Sequence, residues 1–500
     1  MAGELSASRS GRARRSRRRL AVALPALALA LSFAISADGV ERRTGQPHGA
    51  VSVSLVAGSA GARVPKDFLG LSFEVSSAAQ IATYGARGNF RRMLRSLGRG
   101  IMRLGGASAD TRVAWSDSVI PRPAWASSVI GPGDLRGLRR LAAASGWRIV
   151  LTLGLAHYEP RAAVREAAAA RRILGPWLAG IEIGNEPDSY GHHAFRPLPW
   201  TASQYEQQVS AYRRAIARRA PGIPLAGPGV SGSRAFKRWG SAEARRQHPA
   251  LLTGHHYPLR CDSVPAPSIA ELLSERIRTL EALSLTRYMS VSRARHTPFR
   301  MDETNTVSCG GRPGISDTFA SALWATSYIT QTMAAGAAGI NLQGAPANCR
   351  GYSPVCASSS EQLARGALQS QPEWYALLLT RSLVGFRPLR TRIVNPNPNL
   401  VVAALRGAGG ALKFVIVNDE PAGATTAVRL HVGRRLHAAS VLTLSAPAPD
   451  SRSGVRLGGR KVARDGSWHA GQLGRATAHA GALALDVAAA SAVLVTVSPR

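Results

Sequence analysis

Between residues 66 and 385, short apolar runs alternate with stretches whose apolar residues recur every three or four positions. Eight runs stand out: 68–74, 101–105, 148–154, 180–185, 223–227, 251–256, 298–302 and 338–343. Helical spacing predicts helices near 88–97, 134–145, 161–174, 203–219, 232–246, 268–287, 317–335 and 371–381. Parallel strands covered on both faces read as short apolar runs, and each needs a crossover to reach the next. Eight such units predict an α/β fold, a (β/α)8 TIM barrel over 66–385. An open doubly wound sheet is the competitor, but no G-x-G-x-x-G follows the first run.

After about residue 386 the period changes from helical to alternating. Runs such as LVVAALRG, ALKFVIVND and SAVLVTVS, split by Gly, Pro and Asn, predict a C-terminal antiparallel β-sandwich over 386–500. Residues 51–56 (VSVSLV) have the same texture, so segment 51–65 is expected to give that sandwich a strand. Residues 1–37 combine a basic stretch (GRARRSRRR), an uncharged apolar run (LAVALPALALALSFAI) and small residues after it. These are the parts of a secretion signal, Sec or twin-arginine, with 38–50 as a linker. The apolar run is shorter than the roughly 20 residues needed to span a bilayer. An uncleaved N-terminal anchor is the alternative; no membrane insertion is expected once the signal is removed.

The composition, 45% hydrophobic and 18% charged, excludes a disordered or fibrous chain. The formal charge is +34, and all but four of the 63 basic residues are Arg. They are scattered among acidic and apolar residues rather than clustered on one face, so a nucleic-acid partner is not expected. Four cysteines in an exported chain suggest disulfides. Cys349 and Cys356 share a short Gly/Pro/Ser loop and are paired here, which leaves Cys261 with Cys309. With no CxxC, a structural zinc site is not expected.

Functional residues of a barrel gather where strands end. Glu74 ends the first run, and Asp110 follows the second. Asn185 and Glu186 end the fourth, His255, His256 and Tyr257 the sixth, Asp302 and Glu303 the seventh, and Gln343 the eighth. Two carboxylates across the mouth, Glu186 in Asn-Glu-Pro and Glu303 in Asp-Glu-Thr, suit glycoside hydrolysis. That reaction needs one carboxyl to protonate the leaving oxygen and another to attack carbon or activate water. A serine-hydrolase reading lacks its G-x-S-x-G after a strand. The histidines lack a further ligand at suitable spacing, so no catalytic metal and no cofactor are expected.

The chain resembles glycoside hydrolase family 79, which contains β-glucuronidases and heparanase. The resemblance rests on FLGLSFE (68–74), MRLGGASAD (102–110), IEIGNEPD (181–188), LTGHHYP (252–258), RMDETNTVSCGG (300–311) and ISDTFASALWATSYITQ (315–331). It implies a retaining mechanism with Glu186 as acid/base and Glu303 as nucleophile. Asn185 would hold the sugar 2-hydroxyl, Tyr257 beside His255 would orient Glu303, and Glu74 and Asp110 would bind sugar hydroxyls. Ser308 stands where family members that bind glucuronate often carry a Tyr. Consecutive amides at Gly310 and Gly311 could form a nest for the sugar carboxylate instead, and Tyr352 could replace the missing phenol. The expected protein is a secreted exo-β-glucuronidase whose partner is a carbohydrate, a β-glucuronide or an anionic glycan. The alternatives are a neutral-sugar glycosidase (glucosidase, xylanase or arabinofuranosidase) and a silent carbohydrate-binding protein.

Overall fold

The computed structural model describes residues 50–420, 423, 425–432 and 436–499. The expected secretion signal, and all of the expected linker but its last residue, lie outside the described residues. Eight parallel strands close into a barrel in chain order: Leu69–Glu74, Ile101–Gly105, Arg148–Leu153, Leu178–Ile183, Leu225–Val230, Leu251–His256, Phe299–Thr304 and Gly339–Gly344. Strand eight returns to strand one through Ile340↔Leu69 and Leu342↔Leu71. The outer layer includes the helices Phe90–Leu97, Pro132–Ser145, Pro160–Leu174, Ala202–Arg219, Ser233–Arg246, Glu275–Ala294, Phe319–Ala335 and Pro372–Thr380. The expected helix 268–287 is two helices, because Ser274 starts a new one at Glu275, its hydroxyl accepting from the Ile277 amide.

The lumen is polar over most of its length. A small apolar cluster of Ile101, Val150 and Ala226 fills part of it. Two fully buried arginines take much of the rest. Arg300 donates to the Asn341 side chain at 2.6 Å and to the carbonyls of Asp67 and Phe68. Burial lowers it to about 10, so it stays charged at neutral pH. Its guanidinium lies where a side chain at 339 would stand: a Cβ there would come within 2.0 Å of Nη1, so only glycine fits. The second, Arg103, lies under the mouth.

The C-terminal strands form a separate, mostly antiparallel sheet. Its order runs Arg387–Leu389, Leu400–Arg406, Leu412–Asn418, Ser491–Pro499, Leu436–Ser445, Gly474–His479, Ala482–Val487, Thr426–His431, Val51–Leu55, Thr391–Val394. Val51–Leu55 lies antiparallel to Thr391–Val394 and parallel to Thr426–His431. Alternation along one strand serves two cores. Phe414 and Ile416 pack with Val428, Leu430 and Val495 inside the sheet's own core. Val415 and Val417 join the barrel core with the helix Phe319–Ala335. That helix is buried nearly all round, which explains its unbroken apolar and small-residue sequence. The carbonyls of Pro449 and Ser451 accept from the amides of Ala320 and Phe319, satisfying two donors of its first turn.

Candidate active site

Strand seven carries the arrangement. Its register slips against both neighbours between Met301 and Thr304. Regular alternation would send Asp302 and Glu303 to opposite faces. With the irregularity both reach one guanidinium: Arg103 Nη1 lies 2.7 Å from Glu303 Oε2, and Nε 3.0 Å from Asp302 Oδ2. Arg103 also donates from Nε and Nη2 to Glu182 Oε2 at 2.9 and 2.8 Å. Thr152 and Thr253 complete the shell of Glu182 at 2.8 and 2.7 Å.

These neighbours separate the carboxyl groups chemically. Burial raises Asp302 well above the usual range, and the charge of Glu182 raises it further. Burial would raise Glu303 too, but His255, Arg103 and the Tyr257 hydroxyl hold it below its ordinary value. Adjacent residues of one strand are thus pushed in opposite directions, Asp302 toward its acid form and Glu303 toward the carboxylate. Arg103 and Glu182 escaped the sequence reading. Their signal was a charge inside an apolar run, IMRLG and GIEIG, since a charge in a buried strand needs a partner.

Glu186 follows strand four with left-handed backbone, φ 47° and ψ 51°. Such a conformation is costly for a non-glycine residue and persists only where the surroundings impose it. Here the Glu186 amide donates to the Gly229 carbonyl, and Pro187 disfavours right-handed helix at the residue before it. The carboxylate is partly exposed, and His255 Nδ1 lies 2.9 Å from its Oε1. His255 Nδ1 is also 4.0 Å from Glu303 Oε2, and Nε2 is 3.8 Å from Asp302 Oδ1. Burial works against a charge on His255, yet Glu303, the Glu186 bond and Asp302 raise it to about 9. An imidazolium therefore sits between the two glutamates.

Tyr257 donates to Glu303 Oε1 at 2.9 Å, and its hydroxyl lies 3.3 Å from that of Tyr352. Disulfides join Cys261 to Cys309 and Cys349 to Cys356, with Cα atoms 6.0 and 5.3 Å apart. The first ties the loop after strand six to the loop after strand seven. Ser308 is occupied in the same joint: its hydroxyl accepts from the Cys261 amide at 3.1 Å. The expected nest at Gly310 and Gly311 is not two free amides. The Gly311 amide donates to the Ser308 carbonyl at 3.4 Å, and the backbone at Cys309, Gly310 and Gly311 is left-handed throughout.

Four further residues take distinct places. Asn185 Oδ1 accepts from Arg103 Nη2 at 2.9 Å, which turns its NH2 group away from the arginine as a donor. Glu74 accepts from the Ser108 amide at 2.8 Å, and burial with the charge of Glu303 raises its pKa. Gly106, at φ 73°, lies so close that a Cβ there would fall 2.3 Å from the Glu74 carboxylate. Gln343 is buried with its Oε1 unpartnered among the described residues. Asp110 departs from the expected role of sugar ligand. It is buried and accepts from the amides of Leu155, Ala156 and Asn185 and from the Tyr190 hydroxyl, at 2.6 to 3.0 Å. Four donors fill its acceptor sites, so it braces the ends of strands three and four.

One ligand atom each from Glu186, His255 and Glu303 lies within 4.8 Å of the others, a spacing that could hold a metal ion. The donor chemistry fits poorly: Nδ1 is engaged with Glu186, and Arg103 already places a fixed cation on Glu303.

No family model matches this chain. It is 26% identical over 184 residues to a β-glucuronidase of Aspergillus niger, a match covering 32% of this chain and 33% of that protein. A β-glucuronidase of Neurospora crassa matches at 26% over 181 residues, again 32% of each chain. The chain thus spans about a third of the length of these curated relatives. Among solved structures, a 4-O-α-L-rhamnosyl-β-D-glucuronidase from Fusarium oxysporum superposes with TM-score 0.71 and 19% identity, over 89% of this chain and 100% of that one. A family 51 arabinofuranosidase from Xanthomonas axonopodis pv. citri gives TM-score 0.67 and 14% identity over 90% and 100%. At such identities these structures share the fold.

Proposed function

We propose that this protein is a secreted retaining β-glycosidase, with Glu303 as nucleophile and Glu186 as acid/base, acting on β-glucuronides. The observation that carries the reading is the pair of carboxylates at the ends of strands four and seven, with oxygens within 4.8 Å of each other. Retaining pairs stand about 5–5.5 Å apart, whereas inverting pairs leave room for water at about 6.5–9.5 Å. In the first step a Glu303 oxygen attacks the anomeric carbon. The bond to the leaving oxygen breaks, and Glu186 delivers its proton there. In the second step Glu186 takes a proton from water, which attacks the same carbon and frees Glu303. Arg103 and Tyr257 keep Glu303 ionised and aimed, the Asn185 amide serves the 2-hydroxyl, and Glu74 and Gln343 serve the remaining hydroxyls.

Glucuronate as the sugar is supported by the names of the partial relatives and by Tyr352 beside Tyr257. A neutral sugar is the second reading, favoured by Ser308 being engaged with the Cys261 amide. Two disulfides suit an oxidising compartment, and no helix among the described residues is long and apolar enough to cross a membrane. A panel of aryl β-glycosides separates the readings: turnover of the glucuronide alone supports the first, and turnover of a neutral glycoside the second. Azide then assigns the roles. It should rescue Glu186→Ala on an activated aryl glycoside and give the β-glycosyl azide, because azide needs no base. General acid–base help is worth about 10²–10⁴ in rate, so the window is measurable. A β-azide from Glu303→Ala together with an α-azide from Glu186→Ala would exchange the two assignments, because a variant lacking the nucleophile reacts with azide in one inverting displacement.

A further inference from the structure

The chain leaving Glu186 runs as a loop from Pro187 to Thr201 before the next helix begins at Ala202. Only a single turn of it, Pro187–Ser189, is helical. Such a segment has no ladder of its own to hold it. Yet Glu186, at its start, keeps a left-handed backbone that persists only where the surroundings impose it. The loop must therefore be held by side chains.

Arg196 makes most of the necessary bonds. Its Nη1 donates to the carbonyls of Ala156 and Phe195 at 2.6 and 2.7 Å. Its Nη2 donates to the Leu155 carbonyl and to the Gln208 side chain at 2.7 and 2.8 Å. The acceptors come from three places: the loop after strand three, the Glu186 loop itself and the helix Ala202–Arg219. All four are neutral oxygens, so the charge strengthens the bonds rather than cancelling an acid. The guanidinium also packs against two aromatic rings of the loop, with Cζ 5.6 Å from the Tyr190 centroid and 5.5 Å from that of Trp200.

Each ring reaches back toward Glu186. Trp200 donates from Nε1 to the carbonyl of Pro187, the residue after it, at 2.8 Å. Tyr190 donates to Asp110 at 2.6 Å, and Asp110 accepts from the amide of Asn185, the residue before it. Leu155 and Ala156 are held from both sides, their amides by Asp110 and their carbonyls by Arg196. The neighbours of Glu186 are thus fixed on either side, and Arg196 joins the two fixings.

We propose that Arg196 is a positioning residue for the acid/base: it clamps the loop 187–200 onto the loop after strand three, and so holds Glu186 in the backbone conformation that aims its carboxyl at the leaving oxygen. The inference rests on the assignment of Glu186 as acid/base, and adds the group that keeps it in place. The effect of Arg196 passes through Glu186 and not through the sugar.

The test uses Arg196→Met, which keeps much of the aliphatic bulk and removes all four donated bonds. The substrates are the methyl and 2,4-dinitrophenyl β-glycosides of whichever sugar the panel identifies. A misplacement of about 1 Å can cost about a hundredfold, so kcat/KM on the methyl glycoside, which needs the proton, should fall by about that factor. On the dinitrophenyl glycoside, whose leaving oxygen needs no proton, the loss should stay within about fivefold. Azide should raise kcat of the variant on the dinitrophenyl glycoside and give the β-glycosyl azide, because the second step needs the same group as base. Equal losses on both substrates with no azide effect are what a loss of folded enzyme gives. That result, or unchanged kinetics, overturns the inference while leaving the hydrolase assignment standing. Glu186→Ala is the control. If no glycoside is turned over, or if Glu186→Ala shows neither signature, the catalytic assignment itself fails. Amide hydrogen exchange then decides whether Arg196 holds Glu186. Faster exchange at residues 186–190 in Arg196→Met, with the barrel strands exchanging as in wild type, supports the clamp; equal or uniformly faster exchange overturns it.

Discussion

At the scale of single residues, the site is a contest over where negative charge rests. Glu182, Asp302 and Glu303 converge on Arg103, so three carboxyl groups compete for one guanidinium. Burial and the charge of Glu182 push Asp302 toward its acid form. Glu303 keeps its charge because it has Tyr257 and His255 besides Arg103. Tyr257→Phe removes one donor to the carboxylate and fills the same space. A hydrogen bond to a charged group is worth about 1.5–3 kcal/mol. The variant should therefore lose about ten- to a hundredfold in kcat with little change in melting temperature. The measurement is steady-state kinetics beside a thermal melt; an unchanged kcat would remove Tyr257 from the machinery. Leaving Glu303 without Arg103 is a harsher change. Arg103→Met strands buried carboxylates and should cost about 3–5 kcal/mol of stability, read by denaturant unfolding.

Among elements, Asp110 and the strand-seven irregularity do the positioning. Asp110 joins the amides of Leu155 and Ala156, just past strand three, to the amide of Asn185, just past strand four. Glu186 is the next residue. Asp110→Asn keeps the shape but sets a donor against a donor on at least one of these bonds. It should lower kcat for every glycoside alike and leave the ranking of sugars untouched. A sugar ligand would behave otherwise, with losses that vary as the hydroxyl it holds is removed or inverted. Deoxy-sugar substrates make that comparison, and sugar-dependent losses would return Asp110 to the substrate.

For the whole molecule, the buried acids outnumber the groups that act the other way between pH 5.5 and 8, where His256, lowered by burial to about 4, opposes them only below about 6.5. Burial raises Glu166, Glu281 and Glu373 to about 8 and Asp419 to about 7. In the folded state these groups hold protons that the unfolded chain releases above about 4.5, the ordinary glutamate value. Their contribution to stability is therefore full below that value and falls as pH climbs from about 4.5 to about 8. His255, raised to about 9, acts in the same sense: its contribution is present below 6.5 and is lost as pH rises through 9. The melting temperature should thus be higher at pH 5.5 than at pH 8. Glu373→Gln removes one proton from the linkage, worth up to about 1.4 kcal/mol per pH unit, and should flatten the slope. A melting temperature that rises between pH 5.5 and 8 would contradict this account.

The barrel was legible in the amino-acid sequence because its strands are covered on both faces. Burial of that kind demands short apolar runs, and all eight of those read from the sequence overlap strands of the barrel. Boundaries were less legible: strand five runs Leu225–Val230 where 223–227 was expected, since its Gly-Pro-Gly stretch has no side-chain pattern to read. The glutamates were visible as carboxylates at strand ends, a property of position along the chain. What the chain could not reveal alone was which groups share a charge. Arg103 and Glu182 are 79 residues apart, and Arg103 and Glu303 are 200 apart. Only closure of the barrel brings them within 3 Å. The same closure withdraws Asp110 from the mouth and turns Ser308 toward Cys261. Local pattern determined the elements, because burial acts residue by residue. The tertiary structure decided protonation and free valences, because those depend on every neighbour a buried polar atom has.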